Sequence, residues 1–214
     1  MYIGRIVAAG LTNTEQLYAG YRVSSRSFPN RTAVLGEDKV SIVPKSGHEA
    51  DIHKNPYIAY NCLRIVCDGE VAVMTNGSQT DPIAEKIAQG MPVRDALALT
   101  CLSMDYEKDQ YNTPRICAVV DKVDQSAWLA IVRDDGLEVQ RLPLKPGTFF
   151  YVATYEENHI DRAFSGECSP ENAEALCKFM LSGGVFAERT NPVSAVSVVA
   201  TDTGFDMAAQ DFGQ

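Results

Sequence analysis

The chain alternates short apolar runs with polar turns, and most of the runs show the period-two pattern of β-strands. Residues 17–24 are the clearest case, because apolar side chains fall on one face while Arg22 and Ser24 share the other. The same criteria predict strands at 2–9, 40–43, 57–67, 71–75, 116–120, 127–132, 137–142, 149–154 and 194–201, with 205–209 pairing with the last.

Turn residues and helix-cap residues mark where the strands and helices begin and end. Asp68-Gly69 and Asp135-Gly136 each separate two apolar runs, a pattern typical of tight hairpin turns. Three helices are predicted, at 81–89 with Asp81 as N-cap, at 92–102, and at 171–181 after a cap in 169–171. In the second, Val93, Ala96, Leu97, Leu99 and Leu102 are predicted to form the apolar stripe.

Strands joined by hairpins and helices grouped in pairs indicate an α+β fold with mainly antiparallel sheets. Two sheets stacked between helix layers fit this pattern. The 214 residues contain no internal repeat, low-complexity segment or linker, so a single domain spanning residues 1–214 is expected.

Charge and composition narrow the function. A net charge of −9 and a pI near 4.8 argue against nucleic-acid binding, which draws most of its affinity from basic surface. No apolar run is long enough to span a membrane, and the N-terminus does not resemble a signal peptide. The cysteines at 62, 67, 101 and 117 lie in apolar runs, as reduced core residues of a cytoplasmic protein do. No metal site is expected, because the three histidines are scattered and no cysteines have paired spacing.

Residues 21–31 concentrate three arginines, Arg22, Arg26 and Arg31, in this acidic chain. The guanidinium group matches phosphate or carboxylate bidentately, and the hydroxyls of Ser24 and Ser25 add donors. The stretch therefore predicts an anion site, and solvated arginines at a strand end are the structural alternative.

Three further polar clusters stand at strand ends, at 55–61, 76–81 and 105–115. They contain amides, phenols and carboxylates that are suited to proton transfer and to orienting a polar heterocycle. A solvated loop with turn-forming Asp and Asn is the structural alternative for the third cluster.

Motifs of covalent catalysis and nucleotide-phosphate loops are missing from the sequence: there is no G-x-S-x-G, P-loop or G-x-G-x-x-G after a strand. Removal of Met1 would expose Tyr2, which is not the nucleophile that an N-terminal nucleophile hydrolase needs. A mechanism that relies on positioning and proton transfer is expected instead.

Four segments, in order along the chain, resemble the archaeal-type inosine monophosphate (IMP) cyclohydrolase family. They read RVSSRSFPNR, KNPYIAYN, TNGSQTDPI and MDYEKDQYNTPR, and the similarity covers most of residues 2–156, including YIGRIV and YVATYE. The resemblance implies an αββα four-layer fold like that of the N-terminal nucleophile hydrolases, without their nucleophile. It also implies ring closure, with loss of water, of 5-formamidoimidazole-4-carboxamide ribonucleotide to IMP in purine biosynthesis, with no cofactor.

The resemblance and the side-chain chemistry together give residue roles. Proton transfer and orientation of the reacting groups are assigned to Asp105, Tyr106, Glu107, Tyr60 and Asn76. Binding of the phosphate, ribose, base or formyl oxygen is assigned to Arg22, Ser24, Ser25, Arg26, Arg31, Asn61, Asn112 and Arg115. Either Asp105 or Glu107 is the proton acceptor, and either Tyr106 or Tyr60 the donor.

Two other functions fit the same residues: an amide hydrolase of the same scaffold, and a non-catalytic protein that binds purine nucleotides. The expected partner in every case is a small nucleotide. Stacked-sheet enzymes often associate, so a homo-oligomer is compatible with the sequence.

Overall fold

The computed structural model describes residues 1–213, which form two β-sheets and four α-helices, numbered here in chain order. The first sheet contains β1 (Ile6–Leu11), β2 (Leu17–Ser24), β10 (Thr148–Ala153), β11 (Ser165–Glu167), β12 (Pro192–Thr201) and β13 (Gly204–Asp211). The second contains β3 (Arg31–Leu35), β4 (Lys39–Pro44), β5 (Tyr60–Val66), β6 (Val71–Thr75), β7 (Arg115–Asp121), β8 (Ser126–Arg133) and β9 (Gly136–Arg141). The helices are α1 (Asp51–Lys54), α2 (Thr80–Ala88), α3 (Val93–Met104) and α4 (Ala173–Ser182), with 3₁₀ turns at Pro56–Ile58 and Gly184–Phe186.

The strand pairings described in both sheets are antiparallel. The second sheet follows chain order from β3 to β9, whereas the first runs β11-β10-β1-β2-β12-β13. Both predicted hairpin turns are confirmed, because β5 pairs with β6 around Asp68-Gly69 and β8 pairs with β9 at Asp135-Gly136.

Three apolar clusters lie between the layers and pack them together. The largest lies between the two sheets and includes Tyr21 from β2 and Met74 from β6. The second packs α4 on the outer face of the first sheet, and the third packs α2 and α3 on the outer face of the second. The order is therefore helix, sheet, sheet, helices, and the predicted α+β four-layer sandwich is confirmed.

The alternation in β2 has a consequence for the site. Tyr21 points into the core between the sheets, whereas Tyr18 points outward against α4. Arg22 shares the outward face with Tyr18, since side chains two or four residues apart lie on one side of a strand. Arg22 is fully buried there.

Some predicted strand boundaries differ from the structure. β1 begins at Ile6 instead of residue 2, and β5 begins at Tyr60 because Pro56–Ile58 forms a 3₁₀ turn. The side chain of Asn55 caps that turn by accepting a hydrogen bond from the Tyr57 amide at 2.8 Å.

The sequence pattern predicts neither β3 nor β11, and it places α1 within a polar loop. β3 begins at Arg31 and is an edge strand with half-exposed side chains, so its sequence lacks clear alternation. Its pairing with β4, Arg31 opposite Pro44, is a tertiary feature. β11 has three residues and α1 one turn, lengths too short for a periodic signal.

Helix starts also differ from the prediction. α2 begins at Thr80, and Asp81 does not cap it; its carboxylate instead accepts hydrogen bonds from Asn61 and Arg64. α4 begins at Ala173, and its N-cap is Asn172, whose side chain accepts from the amide of Ala175 at 2.8 Å.

Three apolar residues predicted to be buried are exposed. Leu99 and Leu102 are 49% and 70% exposed, because α3 buries the neighbouring face that carries Ala96, Leu97 and Cys101. Cys67 is also exposed, since it occupies the β5–β6 hairpin corner with a positive φ of 56°. No helix among residues 1–213 is long and apolar enough to cross a membrane.

Candidate active site

One cavity of about 500 Å³ opens where loops from both sheets meet. Five segments line it: the residues before β1, the β2–β3 loop with the strand ends beside it, the α1–β5 connection with the end of α1, the α3–β7 loop, and Tyr155, the second residue after β10. The lining residues are Tyr2, Arg5, Ser24, Ser25, Arg26, Ser27, Phe28, Arg31, Lys54, Asn55, Pro56, Tyr57, Ile58, Glu107, Lys108, Asp109, Gln110, Tyr111, Thr113 and Tyr155.

The cavity is cationic although the chain is acidic. Five basic side chains line it, from Arg5, Arg26, Arg31, Lys54 and Lys108, against two carboxylates. In a chain of net charge −9 this is a local reversal of sign. A concave site with one predominant charge concentrates ligands of the opposite charge, so the cavity favours anions.

The buried carboxylate of this cavity is Glu107, which is 1% exposed. Arg5 donates to both of its oxygens, Nη1 to Oε1 at 3.2 Å and Nη2 to Oε2 at 2.9 Å. Burial alone would lower the pKa of Arg5, but Glu107 and the phenols of Tyr60 and Tyr21 outweigh it and raise that pKa well above its ordinary value. Arg5 therefore stays positively charged, and its two hydrogen bonds hold the Glu107 carboxylate in one orientation.

Backbone contacts fix both members of this pair. The Arg5 amide donates to Thr154 Oγ1 at 3.1 Å, and the Glu107 amide donates to the Thr113 carbonyl at 2.8 Å. Gly4 has a φ of +78°, and a Cβ there would lie 2.0 Å from Thr154 Oγ1. Glycine is therefore required at position 4 for Arg5 to approach β10 so closely.

Arg31 keeps hydrogen-bonding capacity that the protein does not use. It is 3% exposed, and its Nε donates to the Phe28 carbonyl at 3.0 Å. Its two terminal nitrogens have no hydrogen-bond partner among residues 1–213, although Arg31 lines the cavity. Arg26 is exposed and lies over the ring of Tyr2 at 4.4 Å. Both guanidinium groups are thus available to an anion.

The serines beside these arginines also line the cavity, but each hydroxyl has a role in the protein. Ser25 Oγ accepts from the Phe28 amide at 3.0 Å and closes the turn that presents Arg26. Ser24 Oγ accepts from Arg22 Nε at 3.1 Å.

Arg22 does not reach the cavity. Its guanidinium donates to main-chain carbonyls at the end of α4 and beyond, including Leu181 at 3.1 Å and Phe186 at 3.0 Å. Burial, together with the charge of Arg189, lowers the pKa of Arg22 to about 10. Arg22 therefore satisfies the carbonyls that a helix leaves unpaired at its C-terminus.

Tyr60 and Asn76 lie behind the cavity wall. The hydroxyls of Tyr60 and Tyr21 share a buried 2.6 Å hydrogen bond, and burial is the main reason that the pKa of Tyr21 is raised well above its ordinary value. The Asn76 carbonyl accepts from Arg5 Nη1 at 3.1 Å. Its side chain is occupied by the Ile116 amide and the Pro114 carbonyl. Asn76 therefore supports Arg5 from the second sheet, and Tyr60 belongs to the apolar cluster between the sheets.

Arg115 forms the next part of this support, because its Nη1 donates to Gln79 Oε1 at 2.9 Å. A Cβ at Gly77 would lie 2.9 Å from Arg115 Nη1 and 3.3 Å from Glu107 Oε1. Arg115 and Glu107 thus approach each other across a bare glycine backbone.

The remaining predicted residues lie outside the cavity lining. Asp105 binds Lys108 at 2.5 Å, and that hydrogen bond is the main reason its pKa is lowered. Lys108 also sits 3.3 Å from the centre of the Tyr106 ring. Asn61 bonds to Asp81 under α2, and the exposed Asn112 bonds to Asp134.

Comparison with known proteins identifies the family. A family model described as IMP cyclohydrolase-like protein matches residues 2–204. The chain belongs to this family. The family membership predicted from the four motifs is therefore confirmed, and it extends beyond residue 156.

Three curated relatives cover between 76% and 98% of this chain. A protein named IMP cyclohydrolase from Methanosphaera stadtmanae is 46% identical over 94% of this chain and 96% of its own length. A protein of the same name from Methanocella arvoryzae is 56% identical over 76% of this chain and 78% of its own. Another from Methanocaldococcus jannaschii is 39% identical over 98% of this chain and 99% of its own.

Several lining residues of this IMP cyclohydrolase-like chain have no role assigned from the sequence. Tyr57, Asp109 and Thr113 lie within the predicted polar clusters, whereas Tyr2, Arg5, Lys54 and Tyr155 lie outside them. Arg5 and Tyr155 lie within YIGRIV and YVATYE, the two segments whose family similarity is the available signal. Arg5 is a lone arginine before a strand, and its partner Glu107 is 102 positions away, so no local pattern marks it.

Substitution of Arg22 tests its structural placement. Arg22→Met keeps the length but leaves several buried carbonyls without a donor, so we expect it to cost about 2–4 kcal/mol of unfolding free energy. The exposed Arg26 is the matched control, and Arg26→Met should cost less than about 1 kcal/mol. Urea denaturation measures both, and equal small losses would contradict the role given to Arg22.

Proposed function

We propose that this chain is an IMP cyclohydrolase that closes the six-membered ring of the formamido nucleotide to give IMP. The proposal rests on one observation, that two groups share one cavity. They are the buried carboxylate of Glu107, which Arg5 holds, and the guanidinium of Arg31, which has unused donors. The curated relatives named IMP cyclohydrolase support the same conclusion.

The cationic wall suits the 5′-phosphate of the substrate. Arg31 and Arg26 have guanidinium groups free for a bidentate contact. Lys54 and Lys108 line the same wall, and each is paired with a carboxylate outside the cavity lining, Asp51 or Asp105. Of the three arginines predicted from the sequence, Arg26 and Arg31 are the ones we assign to the phosphate. We assign Arg22 to the scaffold because its donors are used by carbonyls.

The proton acceptor we assign is Glu107. Glu107 lines the cavity and is buried, whereas Asp105 does not line it and is paired with Lys108. Two hydrogen bonds from Arg5 orient the carboxylate, which lowers the entropic cost of reaching a reactive geometry.

The chemistry requires two proton transfers in the same direction. The carboxamide nitrogen attacks the formyl carbon and loses a proton, while the former carbonyl oxygen gains one. The formamido nitrogen then loses its proton, the carbon–oxygen bond breaks, and the oxygen leaves as water. Both transfers run from nitrogen to one oxygen, so a single carboxylate that accepts and returns a proton suffices for both. Arg5, which stays charged, stabilises the negative charge that develops on that oxygen.

The other predicted residues act at greater distance in this proposal. Asn76 and Arg115 position Arg5 and Glu107 from behind, and Tyr60 holds the hydroxyl of Tyr21 in the core beneath them. We assign Asn61, Asn112 and Tyr106 to local structure, since they bind Asp81, Asp134 and Lys108.

The apolar core that the two sheets share supports a single domain. The six cysteines are all free, which supports a location in the cytoplasm.

Replacing the two carboxylates in turn tests the assignment. Glu107→Gln should lower kcat by about 10²–10⁴-fold, the usual contribution of a general acid–base group, whereas Asp105→Asn should change it less than about tenfold. The measurement is formation of the hypoxanthine chromophore from the formamido nucleotide. Release of formate without ring closure by the unaltered protein would contradict the proposed function, and retained turnover in Glu107→Gln would contradict the role of Glu107.

Substitution of Arg31 tests the phosphate site. Arg31→Met should raise KM for the nucleotide by about 10–100-fold, because a charged hydrogen-bond donor to phosphate is lost. The corresponding nucleoside, which has no phosphate, is the control substrate, and its kcat/KM should stay within about threefold. Equal losses for nucleotide and nucleoside would show that Arg31 does not act through the phosphate.

A further inference from the structure

Beside the Arg5–Glu107 pair, a short chain of hydrogen bonds ends at the cavity. Thr113 Oγ1 lies 2.7 Å from Asp109 Oδ2 and 2.7 Å from the hydroxyl oxygen of Tyr155. Asp109, Thr113 and Tyr155 all line the cavity. The chain joins the α3–β7 loop of one sheet to the end of β10 in the other.

Asp109 sets the direction of the protons in this chain. Its Oδ1 accepts from the amides of Tyr111 at 3.1 Å and Thr113 at 3.0 Å, so the carboxylate faces three donors. A carboxylate in this setting only accepts, so the Thr113 hydroxyl donates its one proton to Asp109. Thr113 Oγ1 must then accept from Tyr155, which commits the phenolic proton of Tyr155 to Thr113. What Tyr155 offers the cavity is a lone pair.

We propose that Tyr155 is a specificity-determining residue that accepts a hydrogen bond from an N–H group on the base of the bound nucleotide, and that Asp109 and Thr113 position it. The inference rests on the proposed function for the identity of the nucleotide. The N–H group is the one on the carboxamide nitrogen, which becomes the ring nitrogen between the carbonyl carbon and the new carbon.

The chemistry of ring closure suits an acceptor with fixed polarity. The carboxamide nitrogen starts with two protons, gives up one during the reaction and keeps the other in the product. Tyr155 holds the proton that stays, while Glu107 takes the one that leaves. Because its own proton is committed to Thr113, Tyr155 does not compete as a donor for the nitrogen lone pair that attacks the formyl carbon.

Two features keep Tyr155 in this state. Burial is the largest influence that raises the pKa of Tyr155, so the phenol stays protonated at neutral pH. Its backbone is tied down as well, since the Tyr155 amide donates to the Ile3 carbonyl at 3.0 Å. A side chain at Gly4 would lie 2.7 Å from the Tyr155 ring. The hydroxyl thus has a defined place and a defined polarity before any ligand arrives.

Asp109→Asn offers a test that keeps the shape and reverses the polarity. The Asn oxygen takes over the two backbone amides, and the Asn nitrogen donates to Thr113 Oγ1. The Thr113 proton then turns to Tyr155, whose proton turns to the cavity. The two probes are IMP, which presents an N–H at the relevant ring position, and the 6-unsubstituted purine ribonucleotide, which presents a lone pair and no N–H on that edge.

Calorimetry measures the affinity ratio of the two probes. We expect Asp109→Asn to weaken the binding of IMP about tenfold relative to the 6-unsubstituted nucleotide. In the variant the N–H of IMP faces the O–H of Tyr155, so two donors replace one neutral hydrogen bond. The ratio is the readout because loss of a negative charge strengthens binding of both phosphates alike. Thr113→Ser, which keeps the hydroxyl, should leave the ratio as in the unaltered protein.

The change in affinity ratio caused by Asp109→Asn must depend on the hydroxyl of Tyr155. In a Tyr155→Phe background, Asp109→Asn should leave the ratio unchanged, which a double-mutant cycle measures directly. An unchanged ratio in Asp109→Asn alone, or the same shift with and without the Tyr155 hydroxyl, would overturn the inference. Ring closure by the unaltered protein is assayed separately, so failure of the proposed function and failure of this inference give different results.

Discussion

The ion pair between Arg5 and Glu107 is the constraint on which the site depends. A buried carboxylate is tolerated only when it is paired and hydrogen-bonded, so Glu107 requires Arg5 beside it. Arg5 precedes β1 of the first sheet, whereas Glu107 and the Asn76 carbonyl belong to loops of the second. This ion pair therefore ties the residues before β1 to the second sheet at the cavity. Among residues 1–213, the terminal nitrogens of Arg31 stay unpaired and open to a ligand.

The four-layer fold explains why neighbouring arginines have different roles. A strand in the middle of a stacked sheet has two buried faces, one toward the other sheet and one toward a helix. In β2 the outward face carries Arg22 to the end of α4, where carbonyls use its donors. Four residues later the chain has left the sheet, so Arg26 is exposed at the cavity. The stretch thus combines a structural arginine with arginines open to a ligand, and sequence adjacency does not separate them.

Much of the fold follows from local pattern, and the site follows from it only in part. The alternation in β2 and the turns at Asp68-Gly69 and Asp135-Gly136 are local signals, so they predict strands and hairpins. The arginine stretch and the loop that contains Glu107 are also predicted, because their polar residues interrupt apolar runs. Arg5 and Tyr155 are not, since each acquires its partner, Glu107 or Thr113, only through tertiary structure. The placement of Arg22 is missed for a related reason: a polar residue on a strand is assumed to face solvent or ligand, and here it faces a helix end.

The most direct test of the account is a crystal structure of this protein with IMP bound. The account predicts the phosphate within hydrogen-bond distance of Arg31 and the base against Glu107, in the cavity between the two sheets. A nucleotide whose phosphate lies away from Arg31, or whose base does not approach Glu107, would contradict it.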